Sequence, residues 1–168
     1  MRFVFSIGLG LLAMGFCIVS VASPITTLSG RVVAVADGDS LTIEIEDGSR
    51  HKIRLAGIDA PERGQPYSRH ARQQLKDLCL GKSAEVLVTA KDRYQRNVGE
   101  VQCEALNAGE LMLSAGLAWA YMPDMARHQH YLELEKLARG SGLGLWLDTR
   151  PIPPWKWRRQ NTPSQAQP

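Results

Sequence analysis

Alternating apolar and polar positions predict an antiparallel β-meander in the first half of the chain. Val32–Val35 is largely apolar, and apolar residues alternate with polar ones in Leu41–Ile45 and His51–Leu55. Asp-Gly pairs at 37–38 and 47–48 separate these segments. Asp-Gly is typical of tight turns between strands. The pattern therefore predicts three short strands that pair in sequence order.

The second half predicts helices around two further strands. Alternation continues in Ala84–Val88 and Val98–Cys103, whereas helical spacing characterises Tyr67–Cys79 and the approximate ranges 109–115 and 127–139. A helix after the third of five short strands is typical of a small closed barrel of the oligonucleotide-binding (OB) type. We therefore predict an α+β fold, a five-stranded OB-type β-barrel with about three helices.

The N-terminus has the pattern of a secretory signal peptide. Arg2 precedes a run of apolar or small residues to Val21, and Ser20-Val21-Ala22 supplies the small residues that a signal peptidase recognises. An uncleaved membrane anchor is the alternative, because the run approaches spanning length. Cleavage after Ala22 predicts an exported protein, periplasmic or secreted, that meets the membrane only through this peptide.

The chain is expected to hold one folded domain, because 168 residues leave little room for two. We divide it into a signal peptide (1–22), an N-terminal linker (23–30), an OB domain (31–148) and a basic tail containing Pro and Trp (149–168). The net charge of +3 permits a polyanionic partner without requiring one. No stable protein partner is implied.

Acidic and basic residues that could perform chemistry are concentrated in three segments. Asp37-Gly38-Asp39-Ser40 places two carboxylates in a turn, where they could bind a hard cation or form only a hairpin. In residues 54–62, Arg54 lies on a strand and Asp59 and Glu62 follow it. Residues 92–96 read Asp-Arg-Tyr-Gln-Arg, which suits phosphate contact but also a solvated loop.

Taken in order, these segments closely resemble the staphylococcal nuclease (thermonuclease) family. The order is Asp-Gly-Asp-Ser, then Arg-x-x-x-x-Asp-Ala-Pro-Glu, then Asp-Arg-Tyr-x-Arg. The resemblance extends from about Val32 to Trp146 and includes Gly116–Trp119 and Leu143–Trp146. It implies an OB barrel with three helices and a calcium-dependent nuclease that cleaves DNA or RNA at the 5′ P–O bond, leaving 3′-phosphates.

The resemblance also implies a role for each matching residue. Asp39 and Asp59 would be calcium ligands, together with the main-chain carbonyl of Ala60. The remaining matches are the catalytic residues Arg54, Arg96 and Glu62, with Glu62 as general base, and Tyr94 as a contact to substrate phosphate. A catalytically inactive OB module that binds nucleic acid or protein is the alternative, but such a module would be expected to lose one of the three catalytic residues.

One departure from the family bears directly on the site. Gln95 stands where the family often has glycine, immediately before Arg96. If the backbone there has a positive φ, glutamine would strain the loop and could displace Arg96.

Aromatic residues outside the motifs are further candidates for substrate contact. Tyr121 could stack on a base. The segment Trp155–Arg159 mixes aromatics with cations. It could contact nucleic acid, or it could be a C-terminal clasp on the barrel.

Cys79 and Cys103 are predicted to form a disulfide. Antiparallel pairing of Ala84–Val88 with Val98–Cys103 would bring both cysteines to one edge of the barrel, and an oxidising compartment favours the bond. The third cysteine, Cys17, would leave with the signal peptide. Two separately buried thiols are the alternative.

Overall fold

The computed structural model describes residues 26–121 and 129–161. Its strands are β1 (Thr26–Val35), β2 (Ser40–Glu44), β3 (Arg50–Leu55), β4 (Ile58–Asp59), β5 (Ser83–Lys91), β6 (Asn97–Cys103), β7 (Leu106–Asn107) and β8 (Trp119–Ala120). Its helices are α1 (Ser68–Cys79), α2 (Ala108–Ser114), α3 (Gln129–Gly140) and α4 (Pro154–Asn161), with a 3-10 helix at Gly144–Leu147.

Five strands close into a mixed β-barrel. Neighbours follow the order β3-β2-β1-β5-β6, all antiparallel, and a parallel pairing of β3 with β6 closes the barrel. The closure aligns Arg54 with Val98. The predicted OB-type fold is confirmed, and the meander forms because each apolar alternation gives one buried face to the barrel interior.

The barrel interior holds the residues that the alternation predicts. Fully buried side chains come from every barrel strand and from α1, and they include Val32, Ile43, Ile53, Leu75, Val86 and Val101. α2 packs across this core and α3 packs on α2, with Met112 and Tyr131 buried between them and the barrel. These helices cover the faces of the sheet that would otherwise expose apolar surface.

Helix number and domain boundaries differ from the prediction in two places. Four α-helices are present among the described residues, since α4 lies in the segment expected to be a tail. β1 begins at Thr26, so residues 26–30 of the expected linker pair with β5. Most of these five side chains are exposed, which left no apolar alternation to detect.

Some sequence predictions lie outside the described residues. They are the signal peptide at 1–22 and the start of the helix predicted for 127–139, which is observed as Gln129–Gly140. Within the described part of the chain, the helices lack the length and apolar character that crossing a bilayer requires.

The predicted disulfide is present. Cys79, the last residue of α1, is bonded to Cys103, with 5.3 Å between the two Cα atoms. Cys103 pairs with Ala84 across β6 and β5. The antiparallel register therefore brings the end of one strand beside the start of the other, next to the helix that leads into β5.

Candidate active site

One cleft of about 920 Å³ opens where β2, β3 and β4 meet the loop between β5 and β6. It is lined by all eight residues predicted for metal, catalysis or substrate: Asp39, Arg54, Asp59, Ala60, Glu62, Tyr94, Arg96 and Tyr121. Asp37 and Arg158 line it as well. The three motif segments, up to 59 positions apart in the chain (37 to 96), thus converge in space.

The pairing of β2 with β3 brings the first acidic turn beside the first arginine. Ser40 is directly opposite Arg54 in the ladder. The backbone N–H of Leu55 donates to the carbonyl of Asp39 at 2.8 Å. These two contacts hold the turn against β3 and place the Asp39 carboxylate beside the Arg54 guanidinium.

A glycine permits this turn to lie against the rest of the fold. A Cβ atom at Gly38 would lie 2.6 Å from that of Ala71 on α1 and 2.7 Å from that of Ala60. Both distances are too short for any side chain. Asp39 can approach Ala60 only because residue 38 has no side chain, and the N–H of Ala60 donates to Asp39 Oδ2 at 3.1 Å.

Arg54 links the two predicted metal carboxylates. Its Nη2 lies 3.0 Å from Asp59 Oδ1 and 3.3 Å from Asp39 Oδ2. Its Nη1 donates to the carbonyls of Ile58 at 3.0 Å and Leu55 at 3.2 Å. Only 16% of the side chain is exposed. The guanidinium is therefore held by four acceptors and has little conformational freedom.

Burial shapes the charges of this cluster. Loss of solvent raises the pKa of Asp59, and Asp39 raises it further against the opposing effect of the arginines. Burial and the neighbouring Asp39 raise the pKa of Asp37 to about 6. Burial works against the charge of Arg54, yet Asp39 and Asp59 raise its pKa overall. Crowded carboxylates in a shielded site favour a cation beside them.

The donor set fits a calcium ion supplied with further oxygen ligands. Asp39 and Asp59 contribute carboxylate oxygens, and Ala60 follows Asp59 in the lining of the cleft. Among the described residues, no group of three or more His, Cys, Asp or Glu side chains is arranged to hold a metal. Calcium accepts backbone carbonyls, water and substrate oxygens as readily as carboxylates. The carbonyl of Ala60 remains a predicted ligand.

The second arginine is held by the loop between β5 and β6. Asp92 accepts from the backbone N–H groups of Tyr94 at 2.8 Å and Arg96 at 3.0 Å, and from Arg96 Nε at 2.7 Å. Arg96 Nη1 donates to Ser40 Oγ at 3.0 Å. Ser40 Oγ in turn donates to Asp39 Oδ1 at 3.0 Å. Arg96, which immediately precedes β6, thus reaches the acidic turn through Ser40.

Gln95 adopts a positive φ, which is unfavourable for glutamine. Its φ is 62°, in the left-handed region that favours glycine. Its N–H donates to the carbonyl of Asp92 at 3.0 Å, and the N–H of Asp92 donates to the carbonyl of Arg96 at 3.0 Å. These turn bonds hold the strained residue in place, and Arg96 still reaches the cleft.

The two tyrosines occupy different surroundings. Tyr94 is 66% exposed at the cleft edge, with the guanidinium carbons of Arg93 and Arg96 5.0 and 5.7 Å from its ring centre. Tyr121 is partly buried, with Arg54 5.7 Å from its ring centre. The exposed Tyr94 hydroxyl could donate to a phosphate oxygen, and the neighbouring arginines favour an anionic substrate.

Glu62 lies on the loop that follows β4. Its backbone N–H donates to Gln65 Oε1 at 3.0 Å, and its carboxylate accepts from Arg158 Nη1 at 2.5 Å. The Glu62 side chain is 39% exposed, so water can reach it. Gln65 is buried, and its Nε2 donates to the carbonyl of Ile152 at 2.6 Å.

Sequence reasoning did not predict Arg158 in the cleft or the bond between Gln65 and the backbone of Glu62. Arg158 belongs to Trp155–Arg159, a segment whose sequence is compatible with either a nucleic-acid contact or a C-terminal clasp. The segment forms α4 and rests on the barrel, with the rings of Tyr121 and Trp155 6.4 Å apart. Among the residues of the segment, Arg158 enters the cleft.

OB-type barrels bind oligonucleotides and oligosaccharides, and arginines in a cleft are suited to bind phosphate. The family model described as staphylococcal nuclease homologue matches residues 52–148. The chain belongs to the staphylococcal nuclease family.

Relatives of similar length have names that agree with this family. A Haemophilus influenzae protein named "Uncharacterized endonuclease" is 38% identical over 136 residues, which is 81% of this chain and 76% of the relative. One of the same name from Escherichia coli O157:H7 is 40% identical over 79% of this chain and 86% of its own length. "Micrococcal nuclease" of Shigella flexneri is 38% identical over 77% and 80%. Family and relatives support nuclease activity on a nucleic-acid substrate.

Proposed function

We propose that this protein is an exported, calcium-dependent nuclease that hydrolyses phosphodiester bonds of DNA, RNA or both. We further propose cleavage at the 5′ P–O bond, which leaves 3′-phosphates. The observation that carries the proposal is the convergence of two carboxylates, two arginines and Glu62 in one cleft. An oxidised Cys79–Cys103 pair supports export, because disulfides persist in oxidising compartments.

Arg54 and Arg96 are proposed to neutralise the phosphate. A phosphodiester is anionic, and its transition state carries more negative charge than the ground state. Guanidiniums remain charged at all working pH values and can donate two parallel hydrogen bonds to phosphate oxygens. Since Arg54 on β3 and Arg96 just before the neighbouring strand β6 line the same cleft, both could contact one substrate phosphate.

Glu62 is proposed to take the proton of the attacking water. A general base must be ionised and within hydrogen-bond reach of the proton that it removes. The partial exposure of Glu62 gives water access, and the bond from its N–H to Gln65 fixes the loop on which it lies. Tyr94 and Tyr121 are proposed to contact the substrate beside the reacting phosphate.

Asp39, Asp59 and the carbonyl of Ala60 would hold calcium. When bound, the ion would add positive charge beside the reacting phosphate. The buried Asp39 and Asp59 are suited to this role because they hold negative charge where solvent is largely excluded.

Hydrolysis of DNA and RNA in calcium, in magnesium and in excess EGTA tests the proposal. We expect cleavage with calcium, loss of activity with EGTA and poor activity with magnesium, which requires smaller and stricter octahedral coordination. End-group analysis should find 3′-phosphates. Full activity in EGTA would contradict the calcium requirement. Nucleic-acid binding without cleavage under any condition would favour the inactive module instead.

A further inference from the structure

The C-terminal helix places a third arginine against the proposed metal ligands. Arg158 Nη2 lies 2.8 Å from Asp59 Oδ2 and Nη1 lies 3.2 Å from Asp59 Oδ1. Nη1 also lies 2.5 Å from Glu62 Oε1. A single guanidinium thus spans the acid that would bind calcium and the acid that would act as base. These bonds, chiefly the one to Asp59, raise the pKa of Arg158.

The guanidiniums occupy both side-chain oxygens of Asp59. Oδ1 accepts from Arg54 and Arg158, and Oδ2 accepts from Arg158. Asp59 is only 1% exposed, so solvent contributes little to its solvation. A calcium ion needs a lone pair on one of these oxygens. Both lone pairs of Oδ1 are engaged, and a calcium ion on the remaining lone pair of Oδ2 would lie beside the Arg158 guanidinium, so the two cations compete for Asp59.

Arg158 is better able to move than Arg54. Arg54 lies within β3, donates to two backbone carbonyls and is 16% exposed. Arg158 lies on an eight-residue helix near the end of the described chain, and 42% of its side chain is exposed. A long exposed side chain can rotate into solvent at small cost, whereas a strand arginine would have to break its backbone bonds.

Other contacts can keep α4 near the cleft when Arg158 moves. Gln65 donates to the carbonyl of Ile152 at 2.6 Å, and Pro154 is buried. The ring of Trp155 lies 6.4 Å from that of Tyr121. Rotation of the Arg158 side chain would therefore leave the start of the helix anchored and release its second half.

We propose that Arg158 is an internal cation that calcium replaces at Asp59. The proposal rests on the calcium requirement put forward above. In the absence of metal, the Arg158 guanidinium compensates the buried charge of Asp59 and holds Glu62 beside it. Calcium binding is then an exchange of cations, and its apparent affinity is lowered by the competing guanidinium. Arg158 acts on the reaction through Asp59 and is a positioning residue.

Calcium affinity of purified protein measured by titration calorimetry tests the exchange. Arg158→Gln should bind calcium roughly tenfold more tightly than wild type, because calcium no longer competes with the Arg158 guanidinium for the buried Asp59 carboxylate. Arg159→Gln is the matched control, since it removes the same charge from the next, exposed residue of α4. It should change affinity by less than about twofold. Arg158→Lys should fall between wild type and Arg158→Gln.

Hydrogen exchange of the backbone amides in α4 provides a readout independent of affinity. Calcium should speed exchange in the second half of α4 in the wild type, because the helix loses its bond to Asp59. In Arg158→Gln, the same amides should exchange rapidly with or without calcium. Circular dichroism would verify that each variant is folded before the comparison is made.

Three results distinguish the cation exchange at Asp59 from the calcium requirement on which it rests. Tighter binding by Arg158→Gln with an unchanged Arg159→Gln supports the exchange. Equal or weaker binding by Arg158→Gln, while wild type binds calcium, overturns the exchange and leaves the calcium requirement intact. Failure of both wild type and Arg158→Gln to bind calcium contradicts the calcium requirement and the exchange together.

Discussion

The two arginines proposed to bind substrate phosphate lie on walls that are built differently. Arg54 projects from a barrel strand, is 16% exposed and contacts two carboxylates and two backbone carbonyls. Arg96 lies in the loop after β5, is 26% exposed and depends on Asp92 and Ser40. The guanidinium of Arg54 is therefore fixed by buried partners, whereas that of Arg96 depends on one carboxylate, Asp92, and one hydroxyl, Ser40.

This difference predicts which changes affect stability as well as catalysis. Near Arg54, charge is buried, so loss of a partner leaves an acid in a poorly solvated place. Near Arg96, solvent can compensate for a lost contact, so changes should act mainly on the geometry of the site. Substitutions on the barrel wall, which carries Arg54, should change both stability and activity. Substitutions on the loop wall, which carries Arg96, should change activity with little effect on stability.

Lysine substitutions should give the largest effects and should distinguish the walls. Arg54→Lys and Arg96→Lys should each lower kcat by about a hundredfold or more, because lysine keeps the charge but loses the two-pronged geometry. Arg54→Lys should also lower the free energy of unfolding by about 1–2 kcal/mol, since Asp39 and Asp59 lose hydrogen bonds in a buried site. Arg96→Lys should change it by less than about 0.5 kcal/mol. Kinetics and urea denaturation measure both quantities.

Equal losses of stability in the two variants would contradict the comparison. Near-normal turnover by Arg96→Lys would show that this arginine does not bind the reacting phosphate. Arg69→Lys is a suitable control, because Arg69 is an exposed residue of α1 outside the cleft. We expect it to retain most of the activity.

Reduction of the disulfide should weaken the barrel and leave both walls of the cleft in place. The bond closes a loop between positions 24 residues apart. The chain-entropy model gives about 3–4 kcal/mol of stabilisation for a loop of this size. Urea denaturation with and without reductant should show this loss, while the nuclease rate at a temperature where both forms are folded should change little. Alkylation of Cys79 and Cys103 without prior reduction would contradict the bond.

Asp92→Asn tests the single carboxylate on which the loop wall depends. The substitution should lower kcat by roughly tenfold, because Arg96 loses a charged partner. Although desolvation opposes it, hydrogen bonds from Arg96 and Tyr94 lower the pKa of Asp92 below 3.8. Asp92 therefore contributes stability above about pH 4 that is lost as the pH falls through its folded pKa. Melting curves across the acid range should show a weaker acid dependence in the variant, and an unchanged dependence would contradict this role.

Apolar alternation predicted the barrel, and the resemblance to the staphylococcal nuclease family predicted the motif residues of the cleft. Apolar alternation identifies strands directly, and Asp39 and Arg54 lie next to the ends of β2 and β3, which pair in sequence order, while Asp59 follows four residues after β3. Their meeting follows from short-range geometry. The same reasoning brought Cys79 to Cys103, since they lie at the ends of elements that flank one antiparallel pair.

Contacts between distant parts of the chain were beyond such reasoning. Arg158 bonds with Asp59 across 99 positions, and Gln65 bonds with Ile152 across 87. Neither pair has a spacing that a strand or a helix would impose. The strand at residues 26–30 was missed for another reason, because it pairs through its backbone while most of its side chains are exposed. Long-range docking and exposed strand extensions leave no periodic signal.

The initial rate of DNA cleavage by Glu62→Gln in saturating calcium tests the central claim most directly. Glutamine keeps the size of the side chain and removes the base, so we predict a rate at least about a hundredfold below wild type. Glu46→Gln, a change at an exposed glutamate outside the cleft, should match wild type. A wild-type rate in Glu62→Gln would contradict the assignment of this cleft as the nuclease active site.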